Sequence, residues 1–274
     1  MKESVRIAII GGSGLYNLLD EAKREVLRTP FGSTPQIEVG NIDETEVAFL
    51  PRHAAPGKRE SGHSVPPHLV NFRANIYGLK KLGVERIIAS NACGTMNPDI
   101  EPGSFVVLDQ FIDMTKSRER TFYDGITPIE FWRGKPSTAK FVHIDVTRPF
   151  CVELRKALID ACEKAEVPYF SKGTYVCTDG PRFETPAEIK AFRILGADIV
   201  GMTLVPESVL ARELSMCYAS LGLVTNWAAG ISKTKITVKE VLEIFRNNIE
   251  KVREVFKRAV RAVPVMRECD CKDI

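Results

Sequence analysis

The sequence predicts one α/β domain built around a mixed β-sheet flanked by helices. Three observations carry that prediction. Short apolar runs ending in glycine or proline turns alternate with stretches of helical spacing. Two helix starts are written out as capping motifs, and no repeat or low-complexity linker divides residues 1–274.

Along the chain, Val5–Ile10 is a continuous apolar run, too short for a membrane span or a signal segment. It ends at Gly11-Gly12-Ser13-Gly14, which reads as a strand feeding a tight turn. Glu46–Leu50 reads as a second strand, followed by Pro51-Arg52-His53. Apolar spacing predicts a helix over Leu69–Leu82, after which Arg86–Ser90 returns to strand. Phe105–Leu108, Tyr175–Cys177, Ile199–Met202 and Leu221–Thr225 are further strands. Thr185-Pro186-Ala187-Glu188 supplies a capping threonine, a proline at the first helical position and a glutamate three residues on. Thr237-Val238-Lys239-Glu240 repeats the threonine–glutamate pattern. Val238, Val241, Leu242, Phe245, Ile249, Val252 and Phe256 then form one stripe expected to face the core. Thr115–Lys140, rich in charge, glycine and proline, reads as a long irregular excursion of the kind that often carries function.

Composition narrows the function classes. A chain of 274 residues with 44% apolar content can bury a full core. A net charge of +3 with interspersed signs argues against a nucleic-acid partner, yet leaves cations for a small anion. No run approaches a membrane span, so a cytoplasmic protein with no membrane partner is expected. The seven cysteines include no C-x-x-C pair and show no zinc-ligand spacing with the four histidines, so no metal is expected. Buried free thiols are the plain reading. Cys269-Asp270-Cys271 is a candidate tail disulfide, and Cys151 with Cys217 is a second candidate pair.

Anion-seeking groups sit at strand ends. The glycine turn with Ser13 can present N–H groups and a hydroxyl to a phosphate. It departs from the dinucleotide fingerprint, because the third glycine position is Asn17, and the Walker A lysine is missing. Arg52-His53 offers a forked guanidinium and an imidazole. Asn91-Ala92-Cys93-Gly94 places small residues where a ligand can approach the backbone, and Met202-Thr203 closes another strand. In open α/β sheets, ligands collect at such ends.

Together these segments resemble the purine nucleoside phosphorylase and methylthioadenosine phosphorylase family. The matching blocks are IIGGSGL at 9–15, PRH at 51–53, HSVPPHLVNFRANI at 63–76 and NACGTMNPDIEPGSFVVLDQFID at 91–113. TFYDG at 121–125, SKGTYVCTDGPRFET at 171–185, ADIVGMTLVPE at 197–207 and CYASLGLVTNWAAG at 217–230 complete them. The resemblance spans nearly the whole chain, and its wording is closer to the methylthioadenosine branch. It implies a single nucleoside phosphorylase domain and a phosphate site of Ser13, Arg52, His53, Asn91, Ala92 and Thr203. Met202 would lie against the ribose and Phe183 on the base. His63 would lie near phosphate and sugar, and His143 would reach a neighbouring subunit's pocket in a homotrimer or homohexamer.

Such an enzyme needs no cofactor. Inorganic phosphate is the co-substrate, both nucleophile and counter-charge to an oxocarbenium-like sugar, so positioning and electrostatics carry the chemistry. By the resemblance, Asn226 is the catalytic residue that hydrogen-bonds the leaving purine, and an amide can donate to a 6-oxo group. The 6-aminopurine branch carries aspartate there and a second aspartate where this chain has Ala228. Glu184 resembles the glutamate by which 6-oxopurine enzymes accept from guanine. Val238 matches an apolar position of the 5′ pocket that would tolerate a methylthio group. The expected substrates are inosine and guanosine, then methylthioinosine, then methylthioadenosine. A metal-dependent nucleoside hydrolase and a nucleotide-binding regulator are the rival classes, and both leave Arg52-His53 beside Ser13 unexplained.

Overall fold

The apolar run at the N-terminus forms the expected strand and lands in the middle of the sheet, as a continuously apolar strand must when both its faces are covered. The computed structural model describes residues 5–12, 15, 18–58, 64–129, 142–232 and 236–272. In chain order, β1 (Ile7–Gly11), β2 (Asp20–Glu25), the short pair β3 (Arg28–Thr29) and β4 (Gly32–Ser33), β5 (Ile37–Ile42) and β6 (Thr45–Pro51) come first. Helix α1 (Phe72–Lys81) leads into β7 (Arg86–Thr95), β8 (Phe105–Val107) and β9 (Gln110–Asp113). After the excursion come α2 (Val152–Lys164), β10 (Tyr169–Phe170), β11 (Thr174–Cys177), α3 (Pro186–Ile194) and β12 (Ile199–Gly201). Helix α4 (Leu204–Glu213), β13 (Cys217–Trp227) and α5 (Val238–Ala262) complete the main elements.

The main sheet has eleven strands among the described residues, ordered β10-β8-β13-β7-β1-β6-β5-β2. At its centre β1, β6, β7 and β13 run parallel. Toward the end of β7 a branch begins, with β12 antiparallel to it and then β11 and β9. Alternation along the central strands feeds two layers. Ile87, Ala89, Tyr218 and Val224 face α1 and α4, while Ile88, Ala219, Leu221 and Leu223 face α2 and α5. A smaller cluster under the branch joins Val176, Val200 and Ala228 to Ile189 and Phe192 of α3.

Local chemistry sets the helix ends. The Thr185–Glu188 capping box is formed in both directions, with Glu188 N donating to Thr185 Oγ1 (3.2 Å) and Thr185 N to Glu188 Oε2 (2.7 Å). The expected helix from Leu69 instead opens as a 3-10 turn, Pro67–Leu69, and α1 starts after Asn71, whose side chain accepts from Ala74 N. The apolar stripe of α5 divides. Val252 and Phe256 are buried as expected, whereas Val238 is 62% exposed and Leu242 is exposed. A 25-residue helix is about 37 Å long, so its first turns outrun the sheet that its later turns cover.

Four cysteines distant in sequence meet in space. The sulfurs of Cys151, Cys217, Cys269 and Cys271 all lie within 4.8 Å of one another and are buried. Cys151 and Cys217 are thus brought together as expected, but together with the tail pair as well. Cys217 Sγ lies 3.4 Å from Cys269 Sγ, beyond bonding distance, and all seven cysteines are free thiols in this structure.

The excursion is irregular from Thr115 to Ile129, as expected, and its continuation over 130–141 lies outside the described residues. It is anchored by Glu213 at the end of α4, whose carboxylate accepts from Phe122 N at 2.8 Å. The Phe122 ring packs between Phe31 and Tyr77. Burial pushes the Glu213 carboxyl up to about 7, against the lowering influence of that amide. The folded chain therefore holds an extra proton between about 4.5 and 7. The associated stability is fully present below that window and is lost as pH rises through it. Glu213→Gln should flatten the melting temperature across this interval, and an unchanged slope in thermal melts would refute the assignment.

Candidate active site

The carboxyl ends of β1, β6 and β7 reach one level, because Gly11 pairs with Pro51 and Ile10 with Ala89. Gly12, Arg52 and Ser90–Ala92 therefore meet at the crevice where open α/β sheets take ligands. Within β7 Ala92 alone is exposed, in a strand with neighbours on both sides. Its exposure marks an opening over the middle of the sheet. Ser13 and His63 lie outside the described residues.

Arg52 is 2% exposed, and its fork is taken up by protein groups. Nε and Nη2 donate to the two oxygens of Glu207 at 2.5 and 2.9 Å, and Nη1 donates to Ser90 O at 2.9 Å. Tyr218 donates its hydroxyl to the same carboxylate at 2.7 Å. This departs from the expected geometry, in which the bidentate edge grips phosphate. A guanidinium has five N–H bonds, so two remain beyond these three. Burial would lower the Arg52 pKa, but the charge and hydrogen bonds of Glu207 outweigh it and raise the value. His53 is buried beside it, with Nδ1 2.9 Å from Val65 O. A carbonyl only accepts, so Nδ1 carries the proton.

Asn91 works behind the crevice. Its Oδ1 accepts from Thr203 Oγ1 at 2.8 Å, its Nδ2 donates to Ser220 Oγ at 2.6 Å, and Ser220 donates to Ala89 O at 3.2 Å. The Thr203 amide points at the Tyr175 hydroxyl, 3.3 Å away. The register explains the meeting: Val200 pairs antiparallel with Gly94, which carries Met202 and Thr203 back toward Ala92 and Asn91. Asn91 thereby fixes the rotamer of Thr203 rather than facing the opening itself.

The other half of the site forms where β13 ends. A bulge between Val224 and Asn226 leaves Thr225 out of register with β7 and re-aims the next side chain. Asn226 is buried, donating Nδ2 to Trp227 O (2.9 Å) and accepting from Thr225 Oγ1 (3.0 Å). It pairs with Gly94, where a Cβ would come 3.0 Å from Asn226 Nδ2, so a side chain there would crowd the amide by a few tenths of an ångström. Ala228 follows, buried in the cluster with α3. Gly230 abuts Pro186, so the approach to α3 lies next to the end of β13. On that approach Glu184 is buried and accepts from Thr178 Oγ1 at 2.7 Å. Burial raises its carboxyl above the ordinary range, against the lowering hydrogen bond from Thr178. Phe183 is partly exposed beside it, and Met202 lies against Gly180.

The structure thus gathers Arg52, His53, Asn91, Ala92, Met202 and Thr203 on one side, with Glu184, Phe183, Asn226 and Ala228 on the other. Val238 and His143 are exposed and lie outside this buried network. Sequence reasoning missed Glu207, Tyr218, Ser220 and Thr178. For Glu207 a signal existed: a carboxylate in Leu204–Ala211, a segment otherwise almost free of charge, must be paired if the helix is buried on all sides.

Known proteins resemble this chain over nearly its whole length. A family described as the phosphorylase superfamily matches residues 6–261. A 6-oxopurine nucleoside phosphorylase of Pyrococcus furiosus is 54% identical over 270 residues, covering 98% of this chain and 97% of that protein. An S-methyl-5′-thioadenosine phosphorylase of Pyrococcus horikoshii is 45% identical over 271 residues, covering 98% and 97%. Methylthioadenosine phosphorylase from Schistosoma mansoni, solved in complex with adenine, superposes with a TM-score of 0.85 at 35% identity over 96% of this chain and 93% of that one. With its fold, its strand-end crevice and these relatives in agreement, the chain belongs to the phosphorylase superfamily.

Proposed function

We propose that this protein is a 6-oxopurine nucleoside phosphorylase, which uses inorganic phosphate to split inosine and guanosine into free base and ribose 1-phosphate. The observation that carries the reading is the opening at Ala92, flanked by the Arg52–Thr203 group on one side and Asn226 with Glu184 on the other. Phosphate sits over Ala92 and the glycine turn, with Ser13 and the remaining N–H bonds of Arg52 as donors and His53 alongside. Since Glu207 neutralises Arg52, hydrogen-bond donors rather than net charge would supply much of the attraction for the anion. Thr203 accepts from the hydroxyl of hydrogen phosphate while its own hydroxyl goes on donating to Asn91 Oδ1.

The bound anion attacks the anomeric carbon as the C–N bond lengthens, and charge builds on the purine. Asn226 meets that charge with its second amide N–H, an interaction strongest in the transition state. Glu184 accepts from the N1–H and exocyclic amine of guanine, and Phe183 and Met202 cover base and ribose. No cofactor takes part in this scheme. The protein acts as a cytoplasmic homotrimer or homohexamer on small molecules, with neither nucleic acid nor membrane as partner. Among the described residues no helix is long and apolar enough to cross a membrane. The exposed Val238 and His143 fit roles completed by a neighbouring copy, and an apolar Val238 admits methylthioinosine as a secondary substrate.

Initial rates on inosine, guanosine, adenosine, methylthioinosine and methylthioadenosine, with and without phosphate, test the reading. Phosphate-dependent release of hypoxanthine and guanine, with slow turnover of both 6-aminopurine nucleosides, is expected. Phosphate-independent release would mean a hydrolase, and fast methylthioadenosine cleavage would overturn the base-pocket assignment.

A further inference from the structure

Arg118, in the irregular excursion, is as buried as Arg52 but has a different set of partners. Its side chain is 2% exposed. Its guanidinium donates to three backbone carbonyls: Met202 O through Nη1, and Thr178 O (3.1 Å) and Asp179 O (2.5 Å) through Nη2. Nε faces Asp179 Oδ1 at 3.3 Å, and the Phe72 ring lies under the cation at 5.5 Å. The attachment is reciprocal, because Lys116 N donates to Asp179 Oδ2 at 3.1 Å. Asp113 braces the same segment, accepting from Thr115 N at 2.9 Å and from Arg120 Nη1 at 2.8 Å.

The three carbonyls belong to two different strand ends. Met202 follows β12 and precedes Thr203. Thr178 and Asp179 follow β11 and open the turn to Phe183 and Glu184. Gly180, at a φ of +64°, lets that turn close so tightly on Met202 that a Cβ there would stand 2.4 Å from the Met202 sulfur. Carbonyls left buried without donors are costly, and a planar cation with five N–H bonds can satisfy several from one point.

We propose that Arg118 is a positioning residue: it locks the ribose-side backbone at Met202 to the base-side loop 178–184, fixing how far apart sugar and purine are held. The proposal rests on the nucleoside phosphorylase reading above and deepens it. It touches no reacting atom. Its effect passes through Met202 on one side and Glu184, by way of the Thr178 hydroxyl, on the other.

The test compares the full-length protein with Arg118→Lys and Arg118→Met. Lysine keeps the charge but replaces the planar fork with a single ammonium. Arg118→Met should lower kcat/KM for inosine and guanosine by about 100-fold, the effect expected of roughly 1 Å of misplacement. The KM for nucleoside should rise, and the guanosine-to-inosine preference should narrow as Glu184 loses its register. Calorimetric affinity for free guanine should fall about 10-fold, independently of turnover. Arg118→Lys should recover part of each loss. Where Arg118→Met does not fold, Arg118→Lys carries the same readouts. A folded variant with unchanged nucleoside KM, base preference and guanine affinity overturns the proposal, as does a loss of kcat alone. Wild-type protein that releases no base from any nucleoside in phosphate instead overturns the underlying functional reading.

Discussion

Glu207→Ala should destabilise the fold by about 3–5 kcal/mol, the penalty for leaving a buried charge unpaired. The carboxylate it removes is 1% exposed and accepts both from the Arg52 fork and from the Tyr218 hydroxyl. Denaturant unfolding reads the loss directly. Glu207→Gln, which keeps the shape but offers a single acceptor oxygen, should cost less and still raise the KM for phosphate. A double change, Arg52→Met with Glu207→Leu, separates stability from function. Replacing a buried ion pair by apolar groups of similar size is often neutral or stabilising. The double variant should therefore regain much of the lost stability while its KM for phosphate stays strongly raised. If it turned over nucleoside with an ordinary phosphate KM, Arg52 would be a structural residue and the anion site would lie elsewhere.

Asn226→Asp should move the ratio of kcat/KM for adenosine over guanosine toward adenosine by about 10–100-fold, equivalent to the 1–3 kcal/mol of one mismatched buried hydrogen bond. The exchange turns a donor toward the purine into an acceptor, favouring an exocyclic amine over an oxo group. It also carries a local cost. The new carboxylate would face the Trp227 carbonyl, which now receives the Asn226 amide at 2.9 Å. Absolute rates should therefore fall for every substrate even as the ratio shifts. Competition between the two nucleosides in one vessel measures the ratio directly, and an unchanged ratio would remove Asn226 as the base reader.

The central parallel strands were legible because burial on both faces leaves a compact apolar run, as in β1 and in Ile87-Ile88-Ala89 of β7. The edge strand β2 was not legible. Its sequence, Asp20-Glu21-Ala22-Lys23-Arg24-Glu25, is that of a charged edge, which discourages further pairing but erases the apolar signal. The site divides in a similar way. Residues at strand ends announced themselves through local wording, and Arg52, Thr203 and Asn226 all lie at or just beyond strand ends. Their partners did not, because the Arg52–Glu207 contact closes over 155 residues and Asn91–Ser220 over 129. Sequence could indicate that a cation was present but not that its fork was already occupied. The exposed start of α5 was misread for a related reason: helical periodicity reports an apolar face without saying where along the helix the opposing layer stops.

The four-cysteine cluster also bears on how the chain is made. Cys217 stands at the foot of β13, the strand that carries Asn226 at its head, and Cys269 meets it from 52 residues further along. A nascent chain that has just delivered β13 from the ribosome has the whole of β7 available to pair with it, yet lacks the wall of sulfur that seals the strand's lower end. Synthesis runs from the N-terminus and domains fold as units, so β13 must wait, partly uncovered, until the segment after α5 emerges and closes over it.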